Sequence, residues 1–285
     1  MINHKLIKYL EEPIVTLINF FKFLHNKNNL RILVFHNINK EDYKMFYNYL
    51  LSLKKEWNFI TPYQFENHIN NKKKLKGKNL LITFDDGFKS NYHVEKEILS
   101  KLKIKCIFFV PTEFIKLKSL KKSKEFIGKN ILDNYISNKN QDKNMTVNNL
   151  KSLLDKGHII GSHTKTHANL GSIFDNKILK KEIIHSAQYL EKILNIKIKH
   201  FAFTYGNYAS VSYKSLKLAL PQYDFLYSCL RGNNFRVGKN EIIKRDAIYI
   251  DKGSKLASIF LSGFFDFKYF FYIFIINKLI KKITK

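Results

Sequence analysis

Only two cysteines, Cys106 and Cys229, occur among the 285 residues. Two thiols without a CxxC pair build neither a disulfide framework nor a cysteine-rich zinc module, and Cys106, set within an apolar run, reads as a small buried hydrophobe. Long apolar stretches are also lacking. The unbroken run 269–276 has eight residues, whereas a bilayer takes about 20. A secretory signal needs a basic leader, an uninterrupted apolar core and a small-residue cleavage site. None is legible, so the expectation is a cytoplasmic protein, peripheral at most on the inner face of the membrane. Acidic residues are scarce, 23 against 50 Lys and Arg, which gives a net charge of +27. No ribonucleoprotein signature or recognition helix accompanies that charge, so nucleic acid is not an expected partner. Lysine, asparagine and isoleucine recur throughout rather than in one block. That spread fits solvated faces under an AT-rich coding bias better than a dedicated anion-binding surface, and leaves open attraction to an anionic membrane or an acidic glycan.

What is present begins with Thr83-Phe84-Asp85-Asp86-Gly87. The run Leu80-Leu81-Ile82 reads as a buried strand, and Gly87 permits a turn that leaves both carboxylates at the strand's C-terminal end. Adjacent aspartates repel, and a cation is a ready neutraliser; a solvated Asp-Asp-Gly turn is the bland alternative. A second signal follows the short strand His158-Ile159-Ile160: Gly161-Ser162-His163-Thr164-Lys165-Thr166-His167. Ten histidines make one HxxxH pair weak evidence alone, yet a carboxylate with two imidazoles is a complete protein ligand set for a catalytic metal.

Strand and helix patterns alternate along the chain. Strands are expected at 31–35, 80–84, 105–110, 158–160, 200–204, 225–228 and 241–243. Helices are expected at 43–54, with Phe46, Tyr49, Leu50 and Leu53 inward, at 94–102, at 150–156, and at 175–194 with Ile178, Leu179, Ile183, Ala187, Leu190 and Leu194 on one face. This succession argues a parallel sheet, open or closed into a barrel, with the candidate ligands gathered at strand C-terminal ends. The Lys-, Asn- and Ser-rich stretch 116–146 reads as a surface insertion that either covers the site or decorates it. Three parts result: an amphipathic helical segment over 1–29, a main α/β body over 30–255, and an apolar and basic helical segment over 256–285. The last segment is either a helix packed on the body or an interfacial helix with its lysines toward lipid headgroups.

The ordered segments TFDDG and GSHTKTH resemble the metal-site motifs of the polysaccharide deacetylase family, the NodB-like carbohydrate esterase family four. Leu33-Val34-Phe35-His36-Asn37, Ile107-Phe108-Phe109-Val110-Pro111 and Phe201-Ala202-Phe203-Thr204-Tyr205-Gly206 extend the resemblance over about residues 30–250. It implies a distorted seven- or eight-stranded (β/α) barrel and a hydrolase that removes the N-acetyl group from an N-acetylhexosamine unit of a surface polysaccharide or its lipid-linked precursor. It further implies a divalent metal, zinc by preference, on Asp86, His163 and His167, with Asp85 as general base and the Tyr205 backbone N–H as oxyanion donor.

Three departures stand out. No histidine follows His200, where most relatives carry their general acid in a late motif; poly-N-acetylglucosamine deacetylases resemble this chain in having that motif permuted to the N-terminal strand, where Phe35-His36 stands, which makes His36 the expected acid. Thr204 occupies a position usually held by proline. No arginine leads the third motif, and Arg245 is the candidate replacement for orienting the base, against the plainer reading of a surface pair with Asp246. Thr204 and the missing late histidine keep open a catalytically silent glycan-binding protein on the same barrel, and the basic charge keeps open a membrane-surface binding protein whose barrel is incidental.

Overall fold

Side-chain parity along the strands builds the architecture. In this computed structural model, which describes residues 28–132, 143–248, 250 and 253–285, the strands are β1 (Asn29–Phe35), β2 (Asn58–Phe59), β3 (Lys78–Phe84), β4 (Cys106–Val110), β5 (Ile159–Ser162), β6 (His200–Ala202), β7 (Phe225–Tyr227) and β8 (Asp246–Ala247). All pair in parallel, in the order β7-β6-β5-β4-β3-β1-β8, and β2 pairs with the opening residues of β3. Leu30, Ile32, Leu81, Ile107, Phe109, Tyr227 and Ile243 form one buried cluster inside the curl of the sheet. Their alternates Leu33, Phe35, Leu80, Ile82, Phe84, Phe108 and Val110 pack outward against helices. Period-two alternation with both faces apolar is the signature of a parallel sheet covered on both sides.

The curl closes through the stretch 243–247. Ile243 bridges to Tyr227 of β7, and Asp246 and Ala247 pair with Leu33 and Val34 of β1, so one irregular segment touches both edges of the sheet. This is the distorted (β/α) barrel expected from the resemblance. The expected strand at 241–243 is corrected: only Ile243 bridges, and the regular pairing comes at Asp246–Ala247. Parity continues there, with Arg245 following Ile243 inward and Asp246 turned outward to Arg31, 2.7 Å away.

Ten α-helices of four or more residues lie among the described residues: α1 (Tyr43–Lys54), α2 (Pro62–Ile69), α3 (Lys89–Val94), α4 (Thr112–Ile115), α5 (Leu120–Asn130), α6 (Val147–Asp155), α7 (Asn176–Leu194), α8 (Tyr213–Gln222), α9 (Gly253–Leu261) and α10 (Phe267–Thr284). In α1 the four expected apolar residues are the buried ones. The helix expected at 94–102 starts earlier, with α3, and continues through a π-helical turn, Glu95–Leu99. In α7 the inward face is as expected except for Ile178, which is 46% exposed: Asp175 caps the helix through Lys177 N–H, and Ile178 falls on its solvent side. The insertion carries α5, whose Ile127 is buried with Phe88 and Phe114. The N-terminal amphipathic helix expected within 1–29 lies almost wholly outside the described residues.

Candidate active site

Asp85 continues the inner face of β3, two residues beyond Thr83, and its N–H is still held by the Phe35 carbonyl at 2.9 Å. Asp86 then breaks the strand with a left-handed backbone, φ 70°. Thr164, His167 and Tyr205 share that conformation, with φ of 65°, 64° and 60°. For such residues this backbone costs of order 1 kcal/mol or more each and clusters at sites where neighbouring structure enforces it. Here the enforcement is visible. Glu182 of α7 accepts from the N–H of Lys165 and of Thr166 and from the Thr166 hydroxyl, at 2.8–2.9 Å, fixing the GSHTKTH loop. Thr204 Oγ1 donates to the Ala168 carbonyl at 2.5 Å, a tie that the proline usual at this position could not make.

The loops bring Asp86, His163 and His167 together. One ligand atom from each lies within 4.8 Å of the other two, all three residues being buried; Asp86 Oδ1 is 3.5 Å from His163 Nε2 and 3.2 Å from His167 Nε2. Each imidazole donates from Nδ1 to a backbone carbonyl, His163 to Ala202 at 2.8 Å and His167 to Asn130 at 2.6 Å. A carbonyl only accepts, so the proton sits on Nδ1 and Nε2 faces the shared centre, the arrangement found at metal-ligating histidines. The donor set therefore fits a divalent ion. Burial pushes the Asp86 carboxyl upward, but the two imidazoles beside it outweigh burial and hold it well below the usual carboxylate range.

Asp85 is held differently. Arg245, fully buried, grips it with both terminal nitrogens, Nη1 to Oδ1 at 2.6 Å and Nη2 to Oδ2 at 2.8 Å. The guanidinium is itself fixed by Nε to the Ser228 carbonyl, 3.1 Å. Burial works against ionisation of Asp85, and Arg245, then His163, reverse the balance. The surface pair of Arg245 with Asp246 is thereby excluded: Asp246 pairs with Arg31 and Arg231, and Arg245 with Asp85.

His36, exposed, and Tyr205, half-exposed, stand on the walls of one cleft of about 400 Å³ with Asp85, Asp86, His163 and His167. The Tyr205 ring lies 5.2 Å from that of His167. Gly206 follows at φ 62°, where a Cβ would stand 2.5 Å from the Cys229 nitrogen, so only glycine fits. All seven residues singled out in the sequence are thus gathered at one place. Unanticipated were Asn130 and Ala202, which serve through backbone carbonyls, and Ile131 and Leu132, which line the cleft; the described part of the insertion therefore contributes to the cleft wall.

The family model for polysaccharide deacetylase matches residues 72–220, more than half of the chain. The chain belongs to the polysaccharide deacetylase family. It is accordingly a carbohydrate deacetylase, a hydrolase. Its fold is similar to that of the Streptococcus pyogenes deacetylase PplD in complex with acetate (20% identity, 82% of this chain, 99% of that one, TM-score 0.63). It is also similar to IcaB from Ammonifex degensii (18%, 82% and 97%, TM-score 0.60) and to a de-N-acetylase from Aggregatibacter actinomycetemcomitans (14%, 82% and 100%, TM-score 0.65). At such identities the likeness speaks for the fold. No curated protein matches the sequence.

Proposed function

We propose that this deacetylase is metal-dependent and removes the N-acetyl group from an N-acetylhexosamine unit of a surface polysaccharide or its lipid-linked precursor. The observation that carries the reading is the convergence of Asp86, His163 and His167, each imidazole set by a backbone carbonyl, beside a separately anchored carboxylate. These three side chains would hold the ion. Two nitrogens and one oxygen suit zinc best, availability permitting. When bound, a divalent ion supplies Lewis acidity, which eases loss of a proton from water and polarises an amide carbonyl.

Asp85 accepts the proton of the attacking water. Arg245 is its positioning residue, holding both oxygens so that the carboxylate meets the water in one orientation. The Tyr205 N–H donates to the oxygen on which charge develops as the carbonyl becomes tetrahedral; one such donor contributes about 10²–10³ in rate. His36 delivers a proton to the departing sugar nitrogen, the step that lets the C–N bond break. The cleft admits one sugar and its acyl group between the polar wall of His36 and Asp85 and the apolar wall of Ile131 and Leu132.

An anionic membrane is the second partner supported by the surface. No described helix is long and apolar enough to cross a membrane. Yet α10 exposes Phe267, Phe270, Phe271 and Phe274, each 56–72% accessible, beside Lys278, Lys281 and Lys282. Tyr272 of the same helix meets Tyr208, just beyond Tyr205, at 5.0 Å. An aromatic and basic helix of this kind would suit contact with an anionic leaflet that carries a lipid-linked substrate.

Acetate release from N-acetylglucosamine oligomers tests the reading. Release that depends on a divalent ion and falls at least about 10²-fold in Asp85→Asn is expected; glycan binding without release would favour the silent binding protein.

A further inference from the structure

A second cleft, of about 550 Å³, opens beside the first. The two share a wall: Ser90 lines the second, and its hydroxyl donates at 2.5 Å to Oδ1 of Asn37, which lines the first. Lys40, Lys89, Lys143 and His93 surround the second cleft, with a single carboxylate, Glu97, which Lys101 meets at 3.4 Å. Two of the lysines are brought there by the backbone. Phe88 and Asn144 form an antiparallel bridge, and the Lys89 N–H donates to the Lys143 carbonyl at 2.6 Å. Like charges on paired backbones are destabilising. The Lys89 ammonium donates to Asn149 Oδ1 at 2.6 Å, and it and that of Lys96 share the Tyr92 ring, 4.9 and 4.7 Å from its centroid. Burial, with the charges of Lys96 and Lys143, holds the Lys89 amine below its usual range.

We propose that this cleft is a subsite for an anionic oxygen group, phosphate or carboxylate, carried by the glycan beside the unit that reacts. The attachment to a glycan rests on the deacetylase reading; the anion site itself stands on the cleft. The test is titration of the full chain with inorganic pyrophosphate, followed by calorimetry, alongside Lys89→Ala with Lys143→Ala and an equal-charge control, Lys177→Ala with Lys180→Ala on the exposed side of α7. Saturable binding that weakens about tenfold in the first pair but not in the control is expected, and Glu97→Gln should tighten it. Absence of saturable binding, or equal weakening in both pairs, overturns the proposal even if acetate release stands. The arms on substrate are an N-acetylglucosamine phosphate and a uronate-bearing N-acetylglucosamine oligosaccharide. The one whose kcat/KM relative to a neutral oligomer drops in the first pair names the source, and no drop for either overturns the glycan assignment while the deacetylase reading remains testable on the neutral oligomer.

Discussion

Asp85 and Asp86 are sequence neighbours with unlike partners, a guanidinium for one and two imidazoles for the other. Arg245→Met leaves the Asp85 carboxylate buried without its cation, which costs about 3–5 kcal/mol. Denaturant titration should show that loss together with a fall in kcat of at least about 10². Adding Asp85→Asn should restore part of the stability and none of the activity. A second residue-scale prediction lies away from the site. Burial lowers His158 to about 4, its Nδ1 accepting from the Cys106 N–H at 3.0 Å. Between about pH 6.5 and 4 the unfolded chain binds a proton there that the folded chain does not. Stability should therefore fall with pH through that window, by up to about 3 kcal/mol. Glu95, beside it at 3.5 Å, has a lowered carboxyl and adds its own loss only below its ordinary value. Unfolding midpoints against pH, flatter in His158→Gln, check this. The carboxylates and imidazoles were legible in the sequence because such groups are rare next to apolar strands. The carbonyls of Ala202 and Asn130 were not, since a backbone acceptor leaves no trace in residue type.

Among elements, α5 shows what pattern reading misses. Its Lys-rich composition left covering and decorating the site equally open, yet Ile127 and Phe126 seat it against Phe88 and Phe114, and its last residue supplies the carbonyl that orients His167. Ile127→Ala should cost about 2–5 kcal/mol and, by loosening that carbonyl, weaken zinc binding about 10–100-fold in a chelator competition. Thr204→Val deletes the tie to Ala168; about 1–3 kcal/mol of stability is expected to go with it, read as a lowered unfolding midpoint. The left-handed residues Asp86, Thr164, His167 and Tyr205 were equally illegible, because nothing in an Asp or a His announces a positive φ. By contrast α1 was read correctly to its ends, and α7 nearly so, because long amphipathic repeats constrain a helix strongly.

At the scale of the whole molecule, the alternation of strands and helices announced a parallel sheet, but not its closure. One irregular segment, 243–247, joins the two edges while directing Arg245 inward to Asp85 and Asp246 outward to Arg31. Arg31 also binds Asp266 at 2.6 Å, so the same segment that positions the site anchors the start of α10. Buried Ile276 and Ile280 pack that helix on the barrel while its phenylalanines stay outside, so the reading of a helix packed on the body describes its inner face, and the interfacial reading is a matter for vesicle binding. Phe270→Ser with Phe271→Ser should weaken cosedimentation with phosphatidylserine vesicles by about tenfold or more, and raised salt should weaken it further. The central claim is that Asp86, His163 and His167 hold one ion on which deacetylation depends. Zinc titrated into chelator-stripped protein, with acetate release followed throughout, tests it most directly: activity should be near zero at the start and rise to a plateau at about one equivalent per chain. Full activity in the stripped protein, or no acetate release at any loading, would contradict it.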